Sequence, residues 1–393
     1  MNMKKIIICI LSLFLVINFL GCENKKTEIN ENDRASYSTN VWERGISKIC
    51  KSNSGYYAFS GDFIYTVENQ KMYPLCNKAD CEHNTIDCNA YLKKAQQQTI
   101  WYDGEGIYVI GMGKNGTYSL YKISTDGSGS EKLSDIFQTT GMKSFSIASY
   151  FNGNYMYYKL TLRDAADIAA GSYSDKLYRI ELKSKAQPEL VYENKDGESK
   201  NSTAIGKCYF YDGYIYMTII KFNDENTSYG LYRYSIENNT MELFLSRYMS
   251  YYFITDDILY YTDDAGIHKY SLDGTIDELF YENPKFCGAM IYDGTNIYLD
   301  DSWYQSKQET HSDMFNIYIL NMDGVLLKEC SVNWEREPLY GDGEDIIMQG
   351  EDIVNENDSS WRVRQFYFYD KSQIGAEQDE WICIEQREIS DLE

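Results

Sequence analysis

Three cysteines and a histidine fall within 13 residues of one another: Cys76, Cys81, His83 and Cys88, in a run that reads Leu75-Cys76-Asn77-Lys78-Ala79-Asp80-Cys81-Glu82-His83-Asn84-Thr85-Ile86-Asp87-Cys88. Three thiolates and an imidazole are the donor set of a tetrahedral structural zinc, at a spacing that differs from the familiar zinc knuckle. Four protein ligands leave no open position for a substrate, so a metal here is expected to be structural. Oxidation is the rival chemistry, since a short cysteine-rich loop in an oxidising compartment is easily stapled. Two of the three cysteines could pair, leaving the third for Cys50 or for no partner. The chain has 10 cysteines; eight remain once Cys9 and Cys22 are set aside, an even number that permits full pairing. Cys208, Cys287, Cys330 and Cys383 are scattered through strand-like segments, where cysteine serves as a small buried hydrophobe. Either closure, by metal or by disulfide, offsets about 3 kcal/mol of the ordering entropy of a polar loop.

Other apparent motifs resolve into turns. Gly111-Met112-Gly113-Lys114-Asn115-Gly116 matches a dinucleotide fingerprint, yet strand-like segments lie on both sides and no helix follows to receive a pyrophosphate. Lys114-Asn115-Gly116 is therefore expected to be a hairpin turn. His268 and His311 stand alone, without a metalloprotease pair or a nucleophile elbow. Asp263-Asp264 and Asp300-Asp301 each follow a strand, where turn chemistry accounts for them without calcium. Trp303 and Tyr304 sit in an irregular insertion that could form a sugar or peptide platform, or pack on its own sheet. No catalytic residue is assigned.

The elements that must position these residues repeat. A turn residue, often Asp-Gly, precedes a strand ending in Ile/Leu-Tyr, and a second strand like Leu-Tyr-Arg-Tyr follows. The clearest copies are Asp212-Gly213-Tyr214-Ile215-Tyr216 with Leu231-Tyr232-Arg233-Tyr234, and Asp293-Gly294-Thr295-Asn296-Ile297-Tyr298 with Ile317-Tyr318-Ile319. The closing residues Tyr65, Tyr108, Tyr157, Tyr216, Tyr260, Tyr298 and Ile347 are separated by steps of 43, 49, 59, 44, 38 and 49 residues. A period in the forties built from short alternating strands specifies an all-β propeller, here of seven blades with four antiparallel strands each. In the fourth copy the strands are expected at 207–211, 214–221, 229–236 and 241–245. The Cys76 to Cys88 run is expected after the third strand of the first blade, and Trp42 to Cys50 offers an outer strand to the last. Only 4 prolines occur, consistent with sheets that cannot spare ladder donors. Most of the 38 tyrosines fall at equivalent places and are expected to pack between blades.

At the N-terminus Lys4 and Lys5 precede an apolar run from Ile6 to Phe19, too short to span a bilayer comfortably and built like an export signal. Phe19-Leu20-Gly21-Cys22 resembles the end of a bacterial lipoprotein signal peptide. That resemblance implies a signal over 1–21, a diacylglyceryl-modified Cys22, and a lipid anchor on the extracytoplasmic side of the cell membrane. Residues 22–41 are polar and nearly free of large apolar residues, which makes them a linker with a reach of about 20 to 25 Å before a domain over 42–393. The formal net charge is −23; removing Lys4 and Lys5 from the 37 basic residues leaves 35 against 60 acidic ones, or −25. Such a body repels nucleic acid, so no nucleic-acid partner is expected.

Leu259-Tyr260-Tyr261-Thr262-Asp263, continuing through Gly266-Ile267-His268-Lys269-Tyr270-Ser271-Leu272-Asp273-Gly274, resembles the repeat of lipoprotein-receptor-like propellers, whose core reads Tyr-Trp-Thr-Asp; Tyr261 stands in place of the Trp. Together with the signal, linker and cysteine cluster, the chain looks like a group of exported propeller lipoproteins of low-GC Gram-positive bacteria described as domains of unknown function. The resemblance implies architecture and transfers no catalytic residue. The expected activity is binding of a protein or carbohydrate ligand at the cell surface. A surface hydrolase or lyase, using loop carboxylates at one end of the propeller channel, is the second reading.

Overall fold

The computed structural model describes residues 48–387 apart from 61, 70, 93–99, 114–115, 166–174, 194–201, 223–226, 248, 250, 283–288, 302–313, 334–335, 342–343, 357–358 and 375–381. The chain divides into two compact units, Met1–Arg34 and Ala35–Glu393, and every described residue lies in the second. The signal peptide, Cys22 and the linker are outside the described residues. Among the described residues no helix is long and apolar enough to cross a membrane.

Seven four-stranded antiparallel sheets form the blades of a β-propeller. Blade one comprises β1 (Ile49–Lys51), β2 (Tyr56–Ser60), β3 (Phe63–Glu68) and β4 (Lys71–Pro74). In blade two, β5 (Trp101–Tyr102), β6 (Ile107–Met112), β7 (Thr117–Ile123) and β8 (Ser130–Gln138) pair in order. The third contains β9 (Ser144–Asn152), β10 (Tyr155–Arg163), β11 (Lys176–Glu181) and β12 (Glu189–Glu193). The fourth, β13 (Ser202–Tyr211), β14 (Tyr214–Phe222), β15 (Thr227–Ser235) and β16 (Thr240–Leu245), lies within a few residues of its sequence-derived bounds. Blade five is β17 (Tyr252–Thr255), β18 (Ile258–Asp263), β19 (Gly266–Ser271) and β20 (Asp277–Glu282). Next come β21 (Met290–Tyr292), β22 (Asn296–Asp300), β23 (Met314–Asn321) and β24 (Leu326–Asn333). The last blade is β25 (Arg336–Gly341), β26 (Asp345–Glu356), β27 (Ser359–Asp370) and β28 (Ile382–Arg387).

Two sequence expectations need correction. Tyr65 lies on the third strand of blade one, whereas the other six markers lie on second strands. The cysteine run therefore follows the fourth strand and joins blade one to blade two. Ile49 and Cys50 belong to β1, the first strand of blade one, and not to an outer strand of the last blade. The cause is local: β1 has 3 residues, and β2 is buried along its whole length, so neither shows the half-buried alternation that marks a strand. Strand β1 touches both β5 and β25, so the ring closes with every blade keeping its own four strands.

The recurring phrase has a mechanical meaning. In Asp103-Gly104-Glu105-Gly106-Ile107-Tyr108, Asp103 Oδ1 accepts the N–H groups of Glu105 and Gly106 at 2.9 Å each, and Oδ2 accepts the Tyr108 hydroxyl at 3.0 Å. Asp293 repeats this with Thr295 and Asn296 at 2.8 Å each and with the Tyr298 hydroxyl at 2.5 Å. One carboxylate thus closes the turn and fixes the ring that packs on the next blade. The Asp212-Gly213 turn has φ of 47° and 77° at its two residues, the left-handed pair that a two-residue hairpin requires.

Apolar clusters fill the spaces between sheets, with aromatic rings crossing each boundary. Phe253 of blade five stacks on Tyr292 of blade six at 4.4 Å, and Tyr157 of blade three meets Phe210 of blade four at 4.7 Å. At the seam between the last and first blades Tyr56 packs on Phe368 at 5.7 Å, and its hydroxyl donates to Asp345 Oδ2 at 2.5 Å.

Candidate metal centre between blades one and two

The connection that leaves β4 is pinned at both ends to the start of β3. Leu75 N–H donates to Ile64 O at 2.8 Å on the way out; on the way back Ile64 N–H donates to Ala90 O at 2.9 Å and Leu92 N–H to Asp62 O at 2.7 Å. Leu75 and Leu92 are buried, and Tyr91 meets Phe63 edge-on at 5.4 Å. Between these stems the chain makes short turns, with Cys81 N–H to Lys78 O at 3.3 Å and Cys88 N–H to Thr85 O at 3.1 Å. His83 adopts φ of 56°, a left-handed conformation unusual for a residue with a side chain.

These turns bring Cys76, Cys81, His83 and Cys88 together, with one ligand atom from each inside a span of 4.8 Å. His83 Nδ1 lies 3.5 Å from Cys88 Sγ. Cys88 is buried and the other three are half-buried. Cys50 is not part of this group; it is buried in the apolar cluster between blades one and two, with Tyr57 and Ile107. Cys76, Cys81 and Cys88 are free thiols in the structure.

Backbone amides prepare two of the sulfurs for negative charge. Burial raises the Cys76 thiol, but hydrogen bonds from the N–H groups of Lys78 and Asn89, then from Cys88 and Cys81, outweigh it and leave the thiol below its ordinary value. Cys88 is pushed up to about 12 by burial, against the Ala90 N–H and reinforced by the neighbouring sulfurs. The two thiols cannot ionise independently at such spacing, whereas a bound cation would favour all the thiolates at once.

A turn from blade two holds the cluster from outside. Gly127, between β7 and β8, accepts the Asn77 N–H at 3.1 Å and the Asn89 amide at 2.9 Å on its carbonyl. Its φ is 73°, and a Cβ there would lie 2.9 Å from the Cys76 nitrogen and 3.0 Å from that of Asn77. Gly127→Ala combines left-handed strain of about 1–3 kcal/mol with a backbone clash. It should lower the thermal midpoint; an unchanged midpoint would remove Gly127 from this role.

The remaining sequence candidates separate. Gly111 lies on β6 and Gly113 just after it, where Gly113 N–H donates to Thr117 O at 2.7 Å on the way into β7; Lys114 and Asn115 lie outside the described residues. Asp263 accepts the Ala265 N–H at 2.8 Å, and its Oδ2 lies 2.9 Å from His268 Nε2. Asp301 is buried and accepts the Asn316 N–H at 2.6 Å and the Tyr318 hydroxyl at 3.4 Å. Cys208 and Cys330 are buried as expected, but Cys383 is exposed on β28, because the outermost strand has no further sheet over it. His311, Trp303, Tyr304 and Cys287 lie outside the described residues. Sequence reasoning missed Asn89 and Gly127; the Asp126-Gly127 pair marks a turn, but nothing in the sequence says which loop it meets.

No protein-family model matches the chain, and no curated protein does. Solved structures are similar to it. A prolyl endopeptidase structure aligns at 12% identity and a TM-score of 0.50, over 91% of this chain and 52% of that one, so this chain spans about half of its length. An oligogalacturonate lyase in complex with manganese aligns at 12% identity and a TM-score of 0.43, over 71% of this chain and 73% of that one. The oligogalacturonate lyase of Vibrio parahaemolyticus gives 12% and 0.43, with coverages of 82% and 85%. At such identities the likeness extends to the fold and no further.

Proposed function

We propose that this chain is a lipid-anchored, extracytoplasmic propeller that binds a protein or carbohydrate ligand, stiffened by a structural zinc on Cys76, Cys81, His83 and Cys88. One observation supports binding over catalysis: of the four aspartates in the two pairs, Asp263 and Asp301 spend their oxygens on backbone N–H groups or on side chains of their own blades. A general acid or base needs an oxygen within reach of substrate and of a transferable proton. Turnover of a polysaccharide or peptide by the purified protein, abolished by Asp301→Asn without loss of fold, would overturn this and favour the hydrolase or lyase reading.

Zinc fits the donor set and its spacing. Around a tetrahedral ion with Zn–S near 2.3 Å and Zn–N near 2.0–2.1 Å, two sulfurs stand about 3.8 Å apart and a sulfur and a nitrogen about 3.6 Å. The His83–Cys88 pair already has 3.5 Å, and closing a 4.8 Å pair takes a shift of about 1 Å. Four filled positions suit a structural role.

Anchoring rests on the run from Lys4 to Cys22. Two acyl chains hold a protein far more firmly than one. Cys22→Ser should move the protein from the membrane fraction to the soluble one, or leave the precursor unprocessed. Processed Cys22→Ser protein that still sediments with membranes would refute lipidation at this residue.

A further inference from the structure

Strands β26 and β27 have 12 residues each, and among the described residues no other strand exceeds 10. The added length lies at the turn they share. Strand β25 pairs with β26 only as far as Gly350, and β28 pairs with β27 only as far as Val363. Beyond those points the two strands stay paired through Ile353 with Arg362, Val354 with Trp361, Asn355 with Ser360 and Glu356 with Ser359. Blade seven thus carries a two-stranded arm whose β26 edge, from Glu351 to Glu356, has no neighbouring strand among the described residues. A two-stranded ribbon is marginally stable by itself, and an open edge is a template for a further strand.

Register sorts the arm into two faces of different charge. On one, Asp352, Val354 and Glu356 stand opposite Val363, Trp361 and Ser359; on the other, Glu351, Ile353 and Asn355 stand opposite Arg364, Arg362 and Ser360. The second face has its acid, Glu351, directly across from Arg364, an opposite-charge pair within the ribbon. The first face holds two carboxylates and no cation, and Trp361 is diagonal to both of them. Tryptophan is the ring that attracts a cation best. The net charge of −23 draws the same ligands from farther away.

We propose that the open edge of β26 in this arm binds an extended basic peptide by strand addition. Backbone hydrogen bonds to Glu351–Glu356 supply affinity, and the side chains at alternate positions of the added strand supply specificity. Basic residues opposite Asp352 and Glu356 meet opposite charge across the strand pair. A lysine or arginine opposite Val354 can lay its apolar stem across that valine toward the position of Trp361. The ligand is therefore a protein segment with basic residues at every second position, and this assignment rests on the binding function proposed above.

A fluorescent heptapeptide that alternates lysine and threonine should bind the full-length protein saturably in an anisotropy titration, and added salt should weaken the complex. Trp361→Ala and the pair Asp352→Asn/Glu356→Gln should each weaken it by about tenfold or more. Arg362→Ala, on the opposite face, should bind at least as tightly as wild type. The exchange Asp352→Lys/Glu356→Lys should transfer preference to a peptide alternating glutamate and threonine, a gain that a misfolded arm cannot produce. No saturable binding to wild type, an affinity unchanged by Trp361→Ala or by Asp352→Asn/Glu356→Gln, or binding of a glucosamine oligomer in place of the peptide would each overturn this assignment and leave the wider binding function standing. Cleavage of the peptide would overturn both.

Discussion

Protein purified anaerobically should contain one equivalent of zinc, and the double substitution Cys76→Ser/Cys81→Ser should abolish it. Removing a single supporting contact around a metal ligand costs about 10–100-fold in affinity, so the loss of two ligands places binding beyond micromolar detection. The consequence for the chain follows from the two pinned stems. Residues 76–88 contain Lys78, Asp80, Glu82, Asn84 and Asp87, with little apolar surface to offset their ordering, and Ile86 points outward at 62% exposure. Without the clamp the loop regains about 3 kcal/mol of chain entropy. Cleavage between Cys76 and Cys88 by a protease of broad specificity should accelerate sharply, while the sheets, whose cores lie between blades, stay intact. The same sensitivity should appear in wild-type protein treated with a strong chelator. Non-reducing peptide mapping of an aerobic sample completes the test: a disulfide among Cys76, Cys81 and Cys88 would replace zinc by the oxidative closure, and neither metal nor disulfide would mean that the convergence has no chemical role.

The second large effect is expected at the boundary of blades six and seven. Lys371, in the 3-10 turn Lys371–Gln373 after β27, forms an ion pair with Asp293 in which the side chains are 6% and 0% exposed. Asp293 also holds the turn of Thr295 and Asn296 and the Tyr298 hydroxyl. Asp293→Ala strands a buried ammonium and frees several donors together, a loss of about 3–5 kcal/mol. The equivalent carboxylate of blade two provides an internal control. Asp103 makes the same turn contacts, but its cation, Lys183, is 48% exposed and 3.8 Å away. Asp103→Ala should therefore cost about 1–2 kcal/mol, mostly in hydrogen bonds. Urea unfolding of both variants should place the Asp293→Ala midpoint well below that of Asp103→Ala; equal midpoints would show that the buried charge pair adds nothing to the shared turn.

That comparison also indicates what the residues disclose in advance. The Asp-Gly-x-x-Ile-Tyr phrase is legible because one carboxylate must serve both its turn and its tyrosine, and such a device leaves a fixed spacing in the chain. Seven blades follow from the repetition. The phase of blade one does not, since β1 and β2 are short or wholly buried and lack the alternation that distinguishes a half-covered strand. Cys76, Cys81, His83 and Cys88 announce themselves by type and proximity. Their support by Gly127 depends on where a neighbouring blade places a turn, which leaves no local signature. The expectations for Lys4 to Cys22 concern residues outside the described part of the chain.

Because each blade retains four consecutive strands, almost every pairing joins segments adjacent in sequence, and only the seam of blades seven and one joins the distant ends of the domain. Low contact order of this kind lets individual sheets form early and independently, while the entropy of bringing 48 and 387 together is met once, at the end. Ring closure is thus the long-range part of the fold. It relies on side chains such as Tyr56, Asp345, Lys51 and Glu344 rather than on a shared strand. Opening the ring there would bare the facing sides of blades one and seven, including the Tyr56–Phe368 contact.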